Sequence, residues 1–144
     1  MNYHAHGESA VHHEFHIETR DRIDVHDVTE RVVAEIPSGV SGLCAVFIRH
    51  TTAGICVNEA EPGLLADLGD FLRQAVPESG WAHDEIDGNA DAHLRAALVG
   101  SHVTVPVANG EPVLGRWQSI LLVECDGPRS RSVSVTVVPA AGGP

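Results

Sequence analysis

The sequence predicts an α+β fold, a single domain of largely antiparallel β-sheets with about three helices packed on them. Three observations predict it. Some stretches alternate apolar and polar residues, as in EFHIETRDRIDV (14–25) and RSVSVTVV (131–138), or run continuously apolar, as in LCAVFI (43–48). Others carry apolar residues at helical spacing. The two kinds do not alternate in the regular order of a βαβ protein. At 144 residues the chain has the length of one domain. Its body is expected over 14–139, after a polar, His-rich flexible leader at 1–13 (MNYHAHGESAVHH) and before a disordered tail at 140–144.

Each element has its own signal. Phe15, Ile17, Ile23 and Val25 predict two short strands joined as a hairpin around a polar turn at 20–22. Asp27 followed by Glu30 has the form of a capping box. Val28, Val32, Val33 and Ile36 then make the stripe of a first helix that Pro37 stops. After a Gly/Ser loop, 43–48 reads as a central strand buried on both faces, and AGICV (53–57) as the next strand. Pro62 opens a second helix, with Glu59 and Glu61 at its positive end. Its stripe of Leu64, Leu65, Leu68, Phe71, Leu72, Ala75 and Val76 lies on the core. A loop at 77–88 carries Trp81, His83, Asp84 and Asp87. Asn89 then caps a third helix with Ala90, His93, Leu94, Ala97 and Leu98 facing inward and Gly100 at its end. Strands at 103–107 and 119–124 flank the turn signal Asn109-Gly110, and 131–138 is the last strand.

Composition excludes several functions. The chain has 9 basic and 20 acidic residues, a formal net charge of −11, and every basic residue is Arg. A Schiff-base lysine, a P-loop lysine and a lysine general base are therefore impossible. The negative field opposes binding to nucleic acid or to an anionic membrane. A phosphate-bearing ligand needs local arginines, backbone N–H groups or a cation. Cys44, Cys56 and Cys125 are odd in number and in no C-x-x-C pairing, which suits core residues in a reducing compartment. With no apolar leader and no run near the ~20 residues that cross a bilayer, the expected location is the cytoplasm.

Three histidines stand in distinctive places: His50 at a strand end, His83 in the 77–88 loop and His93 in the third helix. Three imidazoles make the ligand set of a catalytic divalent metal ion that keeps one position open, zinc or magnesium being the candidates. The same rings also fit core histidines bonded to backbone, since no H-E-x-x-H motif is present. His50-Thr51-Thr52-Ala53-Gly54 places an imidazole and two hydroxyls at the exit of a buried strand, where a ligand site or a plain turn is expected. Near Glu124-Cys125-Asp126-Gly127-Pro128, a turn presents Arg129 for bidentate contact with phosphate, while Arg116 and Arg131 read as solvated strand charges.

Taken together, HTTAGICVNEAEPGLLADL (50–68), HDEIDGNADAHLRAALVGS (83–101) and NGEPVLGRWQSILLVECDGPRSR (109–131) resemble the YjbQ family, over nearly everything from 15 to 138. The chain departs from the family pattern in its His-rich leader and at Cys125, where an aromatic residue is more usual. The resemblance implies an α+β homotrimer with secondary thiamine-phosphate synthase activity, joining hydroxymethylpyrimidine diphosphate to thiazole phosphate with loss of diphosphate. On that reading His50 and Glu124 are the candidate catalytic residues. Thr51, Thr52, Asn89, Ser101, Gln118 and Arg129 are the candidate substrate contacts, and His50, His83 and His93 the candidate metal ligands. The Val face of 133–137 is a candidate for intersubunit burial, and an internal core explains it equally well. Two alternatives stand beside this: a non-catalytic trimeric binder of a phosphorylated metabolite, and a metal-dependent hydrolase with Glu124 or Asp84 as general base. Metal storage through the His-rich leader ranks behind both.

Overall fold

The computed structural model describes residues 10–141, so 1–9 of the expected leader and 142–144 of the expected tail lie outside the described residues. The elements run β1 (Val11–Glu18), β2 (Asp24–Asp27), α1 (Thr29–Ala34), β3 (Gly42–Ile48), β4 (Ala53–Asn58) and α2 (Pro62–Ala75). A single 3₁₀ turn (Ala82–Glu85) precedes α3 (Ala90–Val99), β5 (His102–Ala108), β6 (Glu111–Pro112), β7 (Ser119–Glu124) and β8 (Ser130–Pro139). Strand β1 therefore begins inside the expected leader, and Val11 to His13 pair with Val137 to Val135 of β8.

The strands form two antiparallel sheets, one ordered β1-β8-β3-β5-β6 and the other β2-β7-β4. The expected hairpin is not formed. β1 joins the larger sheet beside β8, and β2 joins the smaller one beside β7, because the turn between them carries the chain from one sheet to the other. Asn109 and Gly110 do make a turn, both with positive φ (51° and 80°), which joins β5 to the two-residue β6 and not to β7.

The sheets face each other across an apolar core, mostly Val and Ile, that includes Phe15, Val46 and Val135 on one side and Ile55, Ile120 and Leu122 on the other. Helices α2 and α3 cover the outer face of the smaller sheet, with Leu72, Ala92, Ala96, Val123 and Cys125 packed between. The strand buried on both faces is thus β7. On β3, Cys44, Val46 and Ile48 point inward, whereas Leu43 (52% exposed) and Phe47 (42%) lie on an open face beside Val138 (50%). Val133, Val135 and Val137 are internal core, so they are not the intersubunit face.

Helix starts follow local chemistry. The expected capping box of Asp27 and Glu30 is not formed: Val28 is the N-cap of α1 without a side-chain cap, and the Asp27 carboxylate accepts from Thr29 N (3.0 Å) and the Thr29 hydroxyl (2.6 Å), while Glu61 accepts from Gly63 N and Leu64 N and caps α2. Those two backbone hydrogen bonds pull the Glu61 pKa down. The three cysteines are free, and burial raises the Cys44 thiol to about 11 and the Cys125 thiol to about 12. Gly54 is a close-approach position: a Cβ there would sit 2.7 Å from Gly100 O and from a Val99 methyl, so β4 and the end of α3 touch directly. Among the described residues no helix is long and apolar enough to cross a membrane.

Helix α3 presents a face different from the expected one. Asp91, Ala92, Arg95 and Ala96 are buried, while Leu94 and Leu98 are exposed. The reason is an internal ion pair: Arg95 Nη1 donates to Asp91 (2.6 Å), and its other nitrogens donate to Leu72 O and Val76 O (both 2.9 Å), satisfying carbonyls at the end of α2.

Candidate functional site

At one end of the sheet pair, four chain segments meet around a buried carboxylate. Glu124 closes β7, Arg131 enters β8, Thr52 precedes β4 and Thr19 follows β1. Glu124 is 0% exposed and Arg131 2%. Arg131 grips the carboxylate with two nitrogens, Nε to Oε2 at 2.7 Å and Nη2 to Oε1 at 2.5 Å, and Nη2 also donates to the Thr52 hydroxyl (2.7 Å). The Thr19 hydroxyl donates to Glu124 Oε2 (2.9 Å) and accepts from Arg129 N (2.8 Å), while Asp126 N donates to Oε1 (2.8 Å). Every oxygen of this carboxylate is engaged. Glu124 is therefore a structural clamp rather than a catalytic base, which corrects the expectation from sequence. Asp84 is committed too: its oxygens accept from Trp81 N and Ala90 N.

The clamp forms the floor of an open cleft of about 770 Å³. Arg22, Arg49, Arg129 and Arg131 line it together with His50, Thr51, Thr52, His93 and the Asp87-Gly88-Asn89 turn before α3. Four of the nine arginines thus meet in one place on a chain of net charge −11. Arg22 donates to both oxygens of buried Asp91 (2.9 and 3.1 Å). Arg129 is set by Asp126, through Nε to the carbonyl (2.7 Å) and Nη2 to the carboxylate (2.9 Å). The Asn89 amide donates to the same carboxylate (2.9 Å), leaving its own Oδ1 buried without a partner.

His50 accepts a hydrogen bond at Nε2 from Ser132 N (2.9 Å). The neutral ring then carries its proton on Nδ1, which makes His50 a donor with no free lone pair for a metal ion. Burial, and after it the charge of Arg131, pulls its pKa below the ordinary 6.5. His93 borders the same cleft, and His83 stacks edge-on against it, ring centroids 4.8 Å apart at 84°. The three imidazoles therefore share a neighbourhood without forming the expected three-ligand set. Among the described residues no group of three or more His, Cys, Asp or Glu is placed to hold a metal ion.

Of the expected substrate contacts, Thr51, Thr52, Asn89 and Arg129 line the cleft. Ser101 borders an adjoining cavity with His50 and His93. Gln118 is elsewhere: its Oε1 accepts from Gly115 N (2.7 Å) and closes the turn before β7. Arg22, Arg49 and Arg131 also line the cleft, and Arg131, which the sequence offered as a solvated strand charge, is 2% exposed. The strict alternation around Arg131 was the available signal, since it puts this residue in register with Val133 and Val135 on the inner face.

A family model described as UPF0047 protein YjbQ-like matches residues 13–140. The chain belongs to the YjbQ family. It is 45% identical over 123 residues to a UPF0047 protein of Archaeoglobus fulgidus, covering 85% of this chain and 97% of the relative. It is 36% identical to the UPF0047 protein YugU of Bacillus subtilis, covering 85% and 95%. Among solved structures, a hypothetical protein of Aeropyrum pernix superposes with a TM-score of 0.86 at 41% identity, over 90% of this chain and 98% of that one. A YbjQ-like protein of unknown function from Sulfolobus solfataricus gives 0.85 at 34%, over 92% and 99%. The YjbQ fold thus extends over the whole described body, cleft included.

Two outcomes follow from this geometry. Glu124→Ala leaves Arg131 buried and unpaired and is expected to cost about 3–5 kcal/mol in chemical denaturation, most of it recovered by the double change Glu124→Leu with Arg131→Met. Wild-type stability in Glu124→Ala would remove the clamp. For His50 the pKa is lowered on folding, so between that value and 6.5 the unfolded chain binds more protons. Its contribution is complete above 6.5 and is lost as pH falls through that window. Relative to His50→Gln, urea denaturation between about pH 7.5 and 5 should show the wild type losing more stability on acidification.

Proposed function

We propose that the cleft binds a small phosphorylated metabolite and that the protein is a thiamine-phosphate-synthase-like transferase, joining hydroxymethylpyrimidine diphosphate to thiazole phosphate. The observation that carries the phosphate reading is the gathering of four arginines and a neutral histidine donor in one cleft of a chain with net charge −11. In the reaction the methylene C–O bond breaks and diphosphate leaves with the electron pair. The thiazole nitrogen, which has no hydrogen, supplies the pair for the new C–N bond. No proton has to be removed, so a site whose Glu124 and Asp126 are held by arginines is adequate. The needs are charge stabilisation and alignment. Arg129 and Arg49 face the departing diphosphate, His50 donates its Nδ1 proton as a hydrogen bond to the departing oxygen, and Thr51 and Asn89 orient the phosphate groups.

The binder without turnover remains the second reading, favoured by the same commitment of Glu124 and Asp126. The hydrolase loses ground because both of its named bases, Glu124 and Asp84, are occupied. Free thiols with raised pKa fit the reducing cytoplasm we assign to the protein.

Single-turnover mixing with excess protein is expected to give thiamine phosphate and diphosphate one for one. Arg129→Ala and Arg49→Ala should each weaken diphosphate binding about 10- to 100-fold. Saturable binding with no product would transfer the assignment to the binder, and assays of chelator-treated protein with zinc or magnesium restored decide the expected divalent ion. For the implied homotrimer, we assign the contact to the open face holding Leu43, Phe47 and Val138. Light scattering should give a trimer mass for the wild type and a smaller one for Phe47→Glu; a monomeric wild type would refute it.

A further inference from the structure

We infer that Asp126 is the positioning residue of the anion cleft: its carboxylate holds Arg129 and Asn89 in place to receive a phosphate group, and so strengthens anion binding although it is itself an anion. This deepens the phosphate-binding reading of the cleft and rests on it. Asp126 Oδ2 accepts from Arg129 Nη2 and from Asn89 Nδ2, both at 2.9 Å, while the Asp126 carbonyl accepts from Arg129 Nε (2.7 Å). All three residues line the cleft. Arg129 is thereby fixed along one edge of its guanidinium. Its Nη1 has no hydrogen bond among the described residues, and the side chain is half exposed, so the free edge is what a guest meets. Arg49 gives the contrast, since it is 66% exposed and its ion-pair partner is Glu14 at 3.9 Å.

The backbone that carries this bracket is tied at several points. Asp126 N donates to Glu124 Oε1 (2.8 Å), Gly127 N to Arg22 O (3.0 Å) and Arg129 N to the Thr19 hydroxyl (2.8 Å), and Thr19 N returns a bond to Arg129 O (2.9 Å). Gly127 packs so closely that a Cβ there would collide with Asp21 O. With the turn held in this way, the Arg129 side chain is the part left to be set, and the Asp126 carboxylate sets it. Asn89 is the N-cap of α3, so the same oxygen also ties the start of that helix to the turn between β7 and β8.

The carboxylate has two opposed effects on a bound anion. Its charge repels the guest only weakly, because Arg129 compensates it and the cleft is open to screening solvent. Its hydrogen bonds remove in advance the rotamer freedom that Arg129 and Asn89 would otherwise lose on binding. An arginine side chain has enough such freedom for the second effect to win.

Calorimetry of the full chain with inorganic diphosphate separates the two. Asp126→Ala removes charge and tether and is expected to weaken binding about tenfold, whereas Asp126→Asn removes the charge but keeps an acceptor and should stay within about threefold of wild type. In an Arg129→Ala background, Asp126→Ala should matter by less than about threefold, while general damage to the turn would weaken binding equally in both backgrounds. Arg129→Lys keeps the charge without the paired bonds to Asp126 and should lose about tenfold, which keeps the test open if Asp126→Ala does not fold. The inference is overturned if Asp126→Ala binds as tightly as wild type or more tightly, or if Asp126→Asn is as weak as Asp126→Ala. It is overturned equally if the loss persists undiminished without Arg129, or if Arg129→Lys matches wild type. In those cases wild-type binding stands, and the cleft reading with it; a wild type that does not bind diphosphate condemns the cleft reading itself and this inference together.

Discussion

The ion pair between Glu124 and Arg131 is the constraint on which the cleft depends. Two charges removed from water are tolerable only when each donor and acceptor is satisfied. Here the satisfying groups come from separate segments: Thr19 after β1, Thr52 before β4, and the backbone of Asp126 between β7 and β8. Meeting the pair's hydrogen-bonding demand therefore fixes the ends of both sheets relative to each other. The same contacts place Thr52 and Arg129 at the cleft wall, so the group that stabilises the fold also aligns the site.

A second buried pair repeats the logic on the helical side. Asp91 is shared between Arg95, which anchors the end of α2, and Arg22, which reaches the cleft. Arginine suits both places because its planar fork satisfies a carboxylate and further acceptors from one rigid group, which a lysine does not. The result is a chain with strong overall negative charge that gathers four arginines in one concavity, three of them held by the carboxylates of Asp91, Asp126 and Glu124.

Helix α3 connects these observations to the cavities. Its burial of Asp91 and Arg95 turns Leu94, Ala97 and Leu98 away from the core while Ala90 stays buried, and His93 comes to border three adjoining cavities. The solved structures that the chain resembles share this fold at 34–41% identity.

The α+β class, most element positions and the single body were legible in the sequence because periodicity and Pro, Gly and Asn-Gly punctuation act locally. That His50, Thr51, Thr52, Asn89 and Arg129 come together around one cleft agrees with their places in the sequence, since each stands at a strand end, a turn or a helix start. The partners of strands and the roles of charges were not. Whether β1 and β2 pair with each other depends on which sheet offers each an edge. Whether Glu124 acts as a base or a clamp depends on Arg131, which the chain brings back from the next strand. Whether the α3 stripe faces core or cavity depends on α2 carbonyls that attract Arg95. Local pattern thus determined the elements of this protein, and only long-range satisfaction of buried charge decided which surfaces became core and which became site.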